Sequence, residues 1–333
     1  MATKKIIVTA DDYGVVPSID KAITNAVVER KINSVAAFAN YGEAGAKSVE
    51  NAKKLIDEAG QNNAPLELGV HLTISSGNPI LGKDKVPSLY EEGTNHFRSH
   101  LDLSLNDTDL VEMKNELQAQ IDVFKKAEIP IHHLTCHHNT FNVYKDFFLI
   151  YLDIAKENNL PVRSPRVRPR ISNDFYVGFY LHLNLLEDIT PVEVMKIHVF
   201  LKTIRIAFRR YGKVRAPDYM DIRHYGPIPG REFPARKEEH LLKKKLKTMK
   251  KIFSKFKRSD DKLMEIVIHM RDGEITNHED YKKETDATGY FGIDPQYFDS
   301  RVLEYKSVLK TDFEQLLAKN DMQWGSWKDA KTP

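Results

Sequence analysis

Two adjacent carboxylates, Asp11 and Asp12, follow the apolar run KKIIVTA, and three histidines, His71, His137 and His269, stand at the ends of later runs of the same kind. Like charges at neighbouring positions repel, so each must be hydrated or paired. A cation resolves that repulsion: one carboxylate binds it, and the other, facing the same water, can take a proton. Two neutral imidazoles and one carboxylate make a metal site with positions open for water and substrate, the arrangement of a hydrolytic centre. Taken singly, each residue has a plainer reading. A histidine at a strand end is more often hydrogen-bonded structure than ligand, and an Asp-Asp pair before a turn often caps a helix. His132 and His133 are read as structural.

Strand alternation selects among these residues. In LELGVHLT, Leu66, Leu68, Val70 and Leu72 share one parity, while Glu67, Gly69 and His71 share the other. In HHLTCHH, Leu134 and Cys136 oppose His133, Thr135 and His137; in LMEIVIHM, Met264, Ile266, Ile268 and Met270 oppose Glu265 and His269. Helices packed outside a barrel require apolar partners, so the polar parity should face the axis. His71, His137 and His269 then point inward together.

The elements that must hold these residues alternate along the chain. After KKIIVTA, the run PSIDKAITNAVVERK has helical spacing behind a Ser18 cap. INSVAAFAN reads as a strand, AGAKSVENAKKLIDEAG as a helix stopping at Gly60, and LELGVHLTI as a third strand. Residues 75–107 read as a long loop, DTDLVEMKNELQAQIDVFKKA as a capped amphipathic helix, IHHLTCHH as a fourth strand, and YKDFFLIYLDIAKENN as a helix. Periodicity blurs around 165–235, then returns with EEHLLKKKLKTMKKIFSKFK, the strand LMEIVIHM, a single helix RVLEYKSVLKTDFEQLLAKN and a closing strand MQWGSW. The βαβα order calls for a parallel sheet with right-handed crossovers, and the length suits a TIM-type barrel. One domain over 1–333, with an irregular insertion around 165–235, is the expected organisation. The lysines of the late helix read as the solvated face of an apolar stripe.

Composition narrows the function classes. The 333 residues are 41% hydrophobic and 29% charged, and a formal charge of +3 is too small to argue for nucleic acid or an anionic membrane. One cysteine, Cys136, excludes an internal disulfide framework and fits a reducing compartment. No apolar leader or membrane-length run is read in the sequence, so a cytoplasmic location is the expectation.

TADDYG, GVHLT, TCHHNTF, APDYMD and MEIVIHM fall in the order and context of the YdjC-like carbohydrate deacetylases, the family of chitooligosaccharide deacetylases, which this sequence resembles over nearly its whole length. FDSRVLEYKSVLK…FEQLL is similar to that family's closing helix. The resemblance implies an α/β fold, a distorted, seven- or eight-stranded TIM-like β/α barrel of the polysaccharide deacetylase type. It implies one divalent cation, magnesium or zinc, and hydrolytic removal of acetyl groups from N-acetylated sugars or oligosaccharides with release of acetate. It further implies Asp12, His71 and His137 as metal ligands, Asp11 as general base, His269 as general acid, and Arg163 in PVRSP as a residue near the substrate.

Two motifs depart from the family's pattern. Its Ser-His-x-His run is here Cys136-His137-His138-Asn139, and its His-Pro-Gly is His269-Met270-Arg271. Neither change removes an implied ligand; both flank the pocket, so they bear on which sugar binds. The amide of Asn139 can hold a substrate hydroxyl, and Tyr41, Tyr225 and Phe291 are candidate stacking platforms. The partner expected is a small N-acetylated sugar, with no nucleic acid or membrane and with a homodimer left open. A metal-dependent hydrolase of another class (a phosphoesterase or other amidohydrolase) and a non-catalytic sugar-binding relative are the alternatives.

Overall fold

The computed structural model describes residues 3–99, 107–142, 144–168, 202–221, 238–273, 279, 282–285 and 295–332. Most of the insertion expected around 165–235 lies outside the described residues, as do Tyr225 and Phe291. Among the described residues eight strands form one sheet: β1 (Lys4–Tyr13), β2 (Ser34–Ala37), β3 (Glu67–Leu72), β4 (Leu134–Cys136), β5 (Val167–Arg168), β6 (Tyr219–Asp221), β7 (Leu263–Ile268) and β8 (Met322–Trp324). Their order is β4-β3-β2-β1-β7-β6-β5, with β8 beside β1, and every pair is parallel.

The curled sheet is bridged by one extended segment. Leu134 of β4 pairs with Val162 in parallel, and five residues later Val167 and Arg168 pair with β6. Residues 161–168 therefore run from one edge of the sheet to the other, which gives the distorted barrel its seam. Among the helices around it are α1 (Pro17–Val28), α2 (Ala46–Gln61), α3 (Leu110–Lys126), α4 (Lys145–Glu157), α5 (Glu238–Lys257), α6 (Pro295–Lys310) and α7 (Phe313–Asn320).

The alternation read from the sequence sorts the two faces of the strands. Leu68, Val70, Leu72, Leu134, Met264, Ile266 and Ile268 are buried in the apolar core shared with the helices. Thr9, Ser34, His133, Thr135 and Glu265 are equally buried and polar. At the floor of the barrel Trp327 donates through Nε1 to the Ser34 hydroxyl at 2.9 Å and stacks on His133, centroids 4.1 Å apart. Gly69 is required there, because a Cβ would stand 2.4 Å from the His133 ring. His133 thus has the structural place expected of it.

Three local readings are corrected. Val16, not Ser18, is the N-cap of α1, because Pro17 with its fixed φ opens the first turn and leaves Ser18 inside it. Ser18 instead donates its hydroxyl to Glu284 at 2.6 Å. The single helix expected over 301–320 is two, since Asp312 leaves helical geometry and caps α7 by accepting the Gln315 N–H at 2.8 Å. The fourth strand is confined to Leu134–Cys136; at His137 the chain turns into a 3-10 helix, with His138 at φ 53°.

The loop after β3 is anchored from α3. Glu116, fully buried, accepts the N–H groups of Ile80 and Leu81, and Gln120 brackets Thr73 by bonding both its N–H and its carbonyl. No helix among the described residues is long and apolar enough to cross a membrane.

Candidate active site

β1 brings both carboxylates of the doublet to one site by breaking its own alternation. Ala10 pairs with Val35 of β2, yet Tyr13 pairs with Ala37, so β1 carries one extra residue there. Asp12 takes the left-handed conformation, φ 72°, that such a bulge needs and that aspartate tolerates better than most residues. In a regular strand Asp11 would face inward and Asp12 outward. The bulge swings Asp12 inward as well, and both side chains are almost fully buried, at 2% and 1% exposure.

Asp12 meets the two histidines closely. Its Oδ1 lies 3.2 Å from His71 Nε2 and 3.0 Å from His137 Nδ1, and the two ring nitrogens are 3.2 Å apart. Both rings are fixed from behind. The Nδ1 of His71 hydrogen-bonds the Thr135 hydroxyl at 2.6 Å, and buried Phe38 stands edge-on to both imidazoles, centroids 5.0 and 4.9 Å away. Burial lowers the His137 imidazole against the pull of Asp12, which favours the neutral, ligating form. Burial alone would raise the Asp12 carboxyl, but Arg301 and the imidazoles outweigh it and hold it well below the usual carboxylate range.

This group could hold a metal ion. The three donor atoms form a nearly equilateral triangle, and a point about 2.1 Å from each, an ordinary zinc–nitrogen or zinc–oxygen distance, exists just off its plane. The ring of His71 has the outer hydrogen bond that orients metal-ligating histidines. The residues present fit the group.

Asp11 faces the other way, toward Arg163. The guanidinium donates from Nη1 to Oδ2 at 2.6 Å and from Nη2 to Oδ1 at 2.8 Å. Glu265, on the inward parity of β7, takes the other side of Arg163 at 2.8–3.2 Å. Burial raises the Asp11 carboxyl, Arg163 more than reverses this, and the group settles at about 2. His269 sits one residue beyond β7, its Nε2 3.7 Å from Asp11 Oδ2 and its N–H donated to Glu304 at 2.8 Å. Burial pushes its imidazole down to about 4 although Asp12 and Asp11 pull it upward.

The structure thus brings Asp11, Asp12, His71, His137 and His269 together at the strand ends, with Arg163 against Asp11. Arg163 is 7% exposed and committed to two carboxylates. The side chain of Asn139 lies outside the described residues. His138 is half-buried, packs against the His137 ring at 3.7 Å and hydrogen-bonds the Ser75 hydroxyl at 3.2 Å. Tyr41 is corrected: at 6% exposure, with its hydroxyl bonded to Ser76, it offers no face for a sugar to stack on.

Four residues of the site were not singled out from the sequence: Phe38, Glu265, Arg301 and Glu304. Glu265 was legible, since it shares the inward parity of His269. Arg301 had one signal, a charge set directly before the apolar Val302 and Leu303. An open groove of about 970 Å³ between α3 and the loop near Ile80 has Lys85, Asp122 and Lys126 as its ionisable groups. It has neither an imidazole nor a carboxylate cluster.

Fold and site define a parallel β/α barrel with a buried centre of two imidazoles and one carboxylate. The model of the YdjC-like protein family matches residues 5–319, and the chain belongs to that family. It is 30% identical over 166 residues to a carbohydrate deacetylase of Enterococcus faecalis, across 49% of this chain and 60% of that protein. It is 26% identical over 161 residues to a carbohydrate deacetylase of Thermoanaerobacter pseudethanolicus, across 48% and 60%. The chain spans about three fifths of the length of these curated relatives. A crystal structure of a cellobiose-phosphate cleavage protein from Enterococcus faecalis shares the fold, with a TM-score of 0.68 over 98% of this chain and 99% of that one, at 19% identity.

Proposed function

We propose that this chain is a metal-dependent hydrolase that removes acetyl groups from N-acetylated sugars or oligosaccharides of the chitooligosaccharide kind. The observation that carries the reading is the approach of Asp12, His71 and His137 to within 3.2 Å of one another, beside the Asp11–His269 pair. Relatives named carbohydrate deacetylase support the reaction class and a carbohydrate substrate.

A divalent cation, magnesium or zinc, held by Asp12, His71 and His137 would polarise the acetyl carbonyl and make the attacking water more acidic. Of the two, the imidazole-rich donor set suits zinc better. The chain's own residues handle the protons. Asp11, kept ionised by Arg163, accepts a proton from the attacking water as its oxygen bonds to the acetyl carbon. His269 is neutral near pH 7, so the proton it gives must first reach it. At 3.7 Å from Asp11 it is the next acceptor in line. Delivered from His269 to the amide nitrogen, that proton lets the C–N bond break with a neutral amine leaving, and the acetic acid left behind gives its remaining proton to solvent and departs as acetate. Arg163 serves by orientation: its two parallel bonds fix the plane of the Asp11 carboxylate, and Glu265 holds Arg163 from behind.

The test is acetate release from a panel of N-acetylated mono- and oligosaccharides by the chelator-stripped protein, with magnesium and zinc added singly. Metal-dependent acetate is expected. A folded, metal-loaded chain that releases no acetate across the panel would reject the reading.

A further inference from the structure

Helix α6 sends two charged side chains, one turn apart, into the strand-end site. Arg301, 2% exposed, donates through Nη2 to Oδ2 of Asp12 at 2.7 Å. Glu304, fully buried, accepts the His269 N–H, and Lys245 of α5 approaches its other oxygen at 3.4 Å. The neighbouring residues Val302, Leu303 and Val308 are buried and apolar. Packing gives no reason to bury an arginine among them, and a guanidinium out of water is costly unless it is paired.

The bulge at Asp12 supplies a reason. A carboxylate rotates easily about its last torsion, so the backbone alone does not decide which oxygen faces the histidines. We infer that Arg301 is a positioning residue: by taking Oδ2 it leaves Oδ1 alone directed at His71 Nε2 and His137 Nδ1, so that Asp12 enters the centre as a one-oxygen ligand. This rests on the metal reading above and extends it to a residue 289 positions along the chain. The arginine charge also repels a cation, so its geometry and its charge act in opposite directions. Lysine separates them, since it keeps the charge and loses the planar fork.

The experiment compares full-length wild type, Arg301→Lys and Arg301→Met, each stripped of metal and checked for folding by circular dichroism. Zinc is titrated in by calorimetry, and side-chain ¹⁵N–¹H spectra of His71 and His137 are recorded before zinc is added. Arg301→Lys is expected to bind zinc about ten- to a hundredfold more weakly, the usual effect of losing an outer-shell partner. Arg301→Met should regain part of that loss, because the repelling charge is gone. In both variants the imidazole signals should already differ from wild type without metal. A folded Arg301→Lys with wild-type affinity and wild-type imidazole signals would overturn the inference. A wild type that takes up no zinc would reject the metal reading instead. The metal-free signals then decide alone, shifted signals supporting the positioning role and unchanged ones rejecting it.

Discussion

Arg163 holds both oxygens of Asp11, at 2.6 and 2.8 Å, and turns its remaining edge to Glu265. One buried cation thus serves two buried anions, and removing it takes from both the charge that chiefly offsets their burial. Arg163→Met is expected to lose about 3–5 kcal/mol of stability, the cost of breaking a buried pair from one side. Arg163→Lys should recover only part, because an ammonium cannot span both carboxylates. Urea unfolding at pH 7 reads both, and a wild-type midpoint for Arg163→Met would show that the cluster contributes no net stability.

His71→Ala and His137→Ala are each expected to fold and to lose the bound divalent cation. Each removes one of three donors, while the apolar face of its element stays intact. Metal content after equilibration with zinc and gel filtration is the measurement. Stoichiometric metal in both variants would place the cation elsewhere.

Asp11→Asn should keep the metal and lose turnover by about a hundred- to ten-thousandfold, the usual range for an acid–base group. Asparagine preserves the size of the side chain but cannot take the proton. His269→Ala should fall in the same range for an amide substrate, and much less for a substrate whose leaving group needs no proton, such as an acetylated nitrophenol. Equal losses on both substrates would remove His269 from the role of acid.

Asp20, in the first turn of α1, accepts the Gly14 N–H at 2.7 Å. Burial raises its carboxyl to about 7 from an ordinary 3.8, against the bonds from Gly14 and Val15 and the charges of Lys47 and Lys54. Tyr13 lies close enough that burial and the Asp20 charge together raise its hydroxyl. Between those two pH values the folded chain holds a proton that the unfolded chain has released, so this group's contribution is full below about pH 4 and declines as pH rises through 7. Asp20→Asn keeps an acceptor for Gly14 and cannot ionise. Its stability relative to wild type should therefore improve from pH 4 to about pH 7 and level off above that in urea titrations. A constant difference would mean that Asp20 ionises normally.

What the sequence disclosed was whatever is written in a local period. His71, His137 and Glu265 show their inward direction through alternation within six or seven residues, and α3 through its apolar spacing and the Asp109 cap. The bulge at Asp12 is hidden, because it depends on how β1 is matched against β2, not on β1 alone. Arg301 and Arg163 reach Asp12 and Asp11 across 289 and 152 positions, and no periodicity carries such a pairing. Ser18 and the helix over 301–320 misled for a different reason. Pro17 and Asp312 are stronger local signals than the spacing around them, and each sets the end of its helix.

The Trp327 plug ties the first described strand to the last. Trp327 stacks on His133 and bonds to Ser34, while β8 pairs with the opening residues of β1. During synthesis β1, β2 and β4 are all made long before their floor exists, so the Ser34 hydroxyl and the face of His133 stay wet until residues 322–330 emerge. Contacts of such long range are slow to form, and a barrel waiting for them shows unfinished surface to chaperones and to other chains. Closure of the barrel floor is thereby delayed until residues 322–330 have been made, although the strand they close on begins at Lys4.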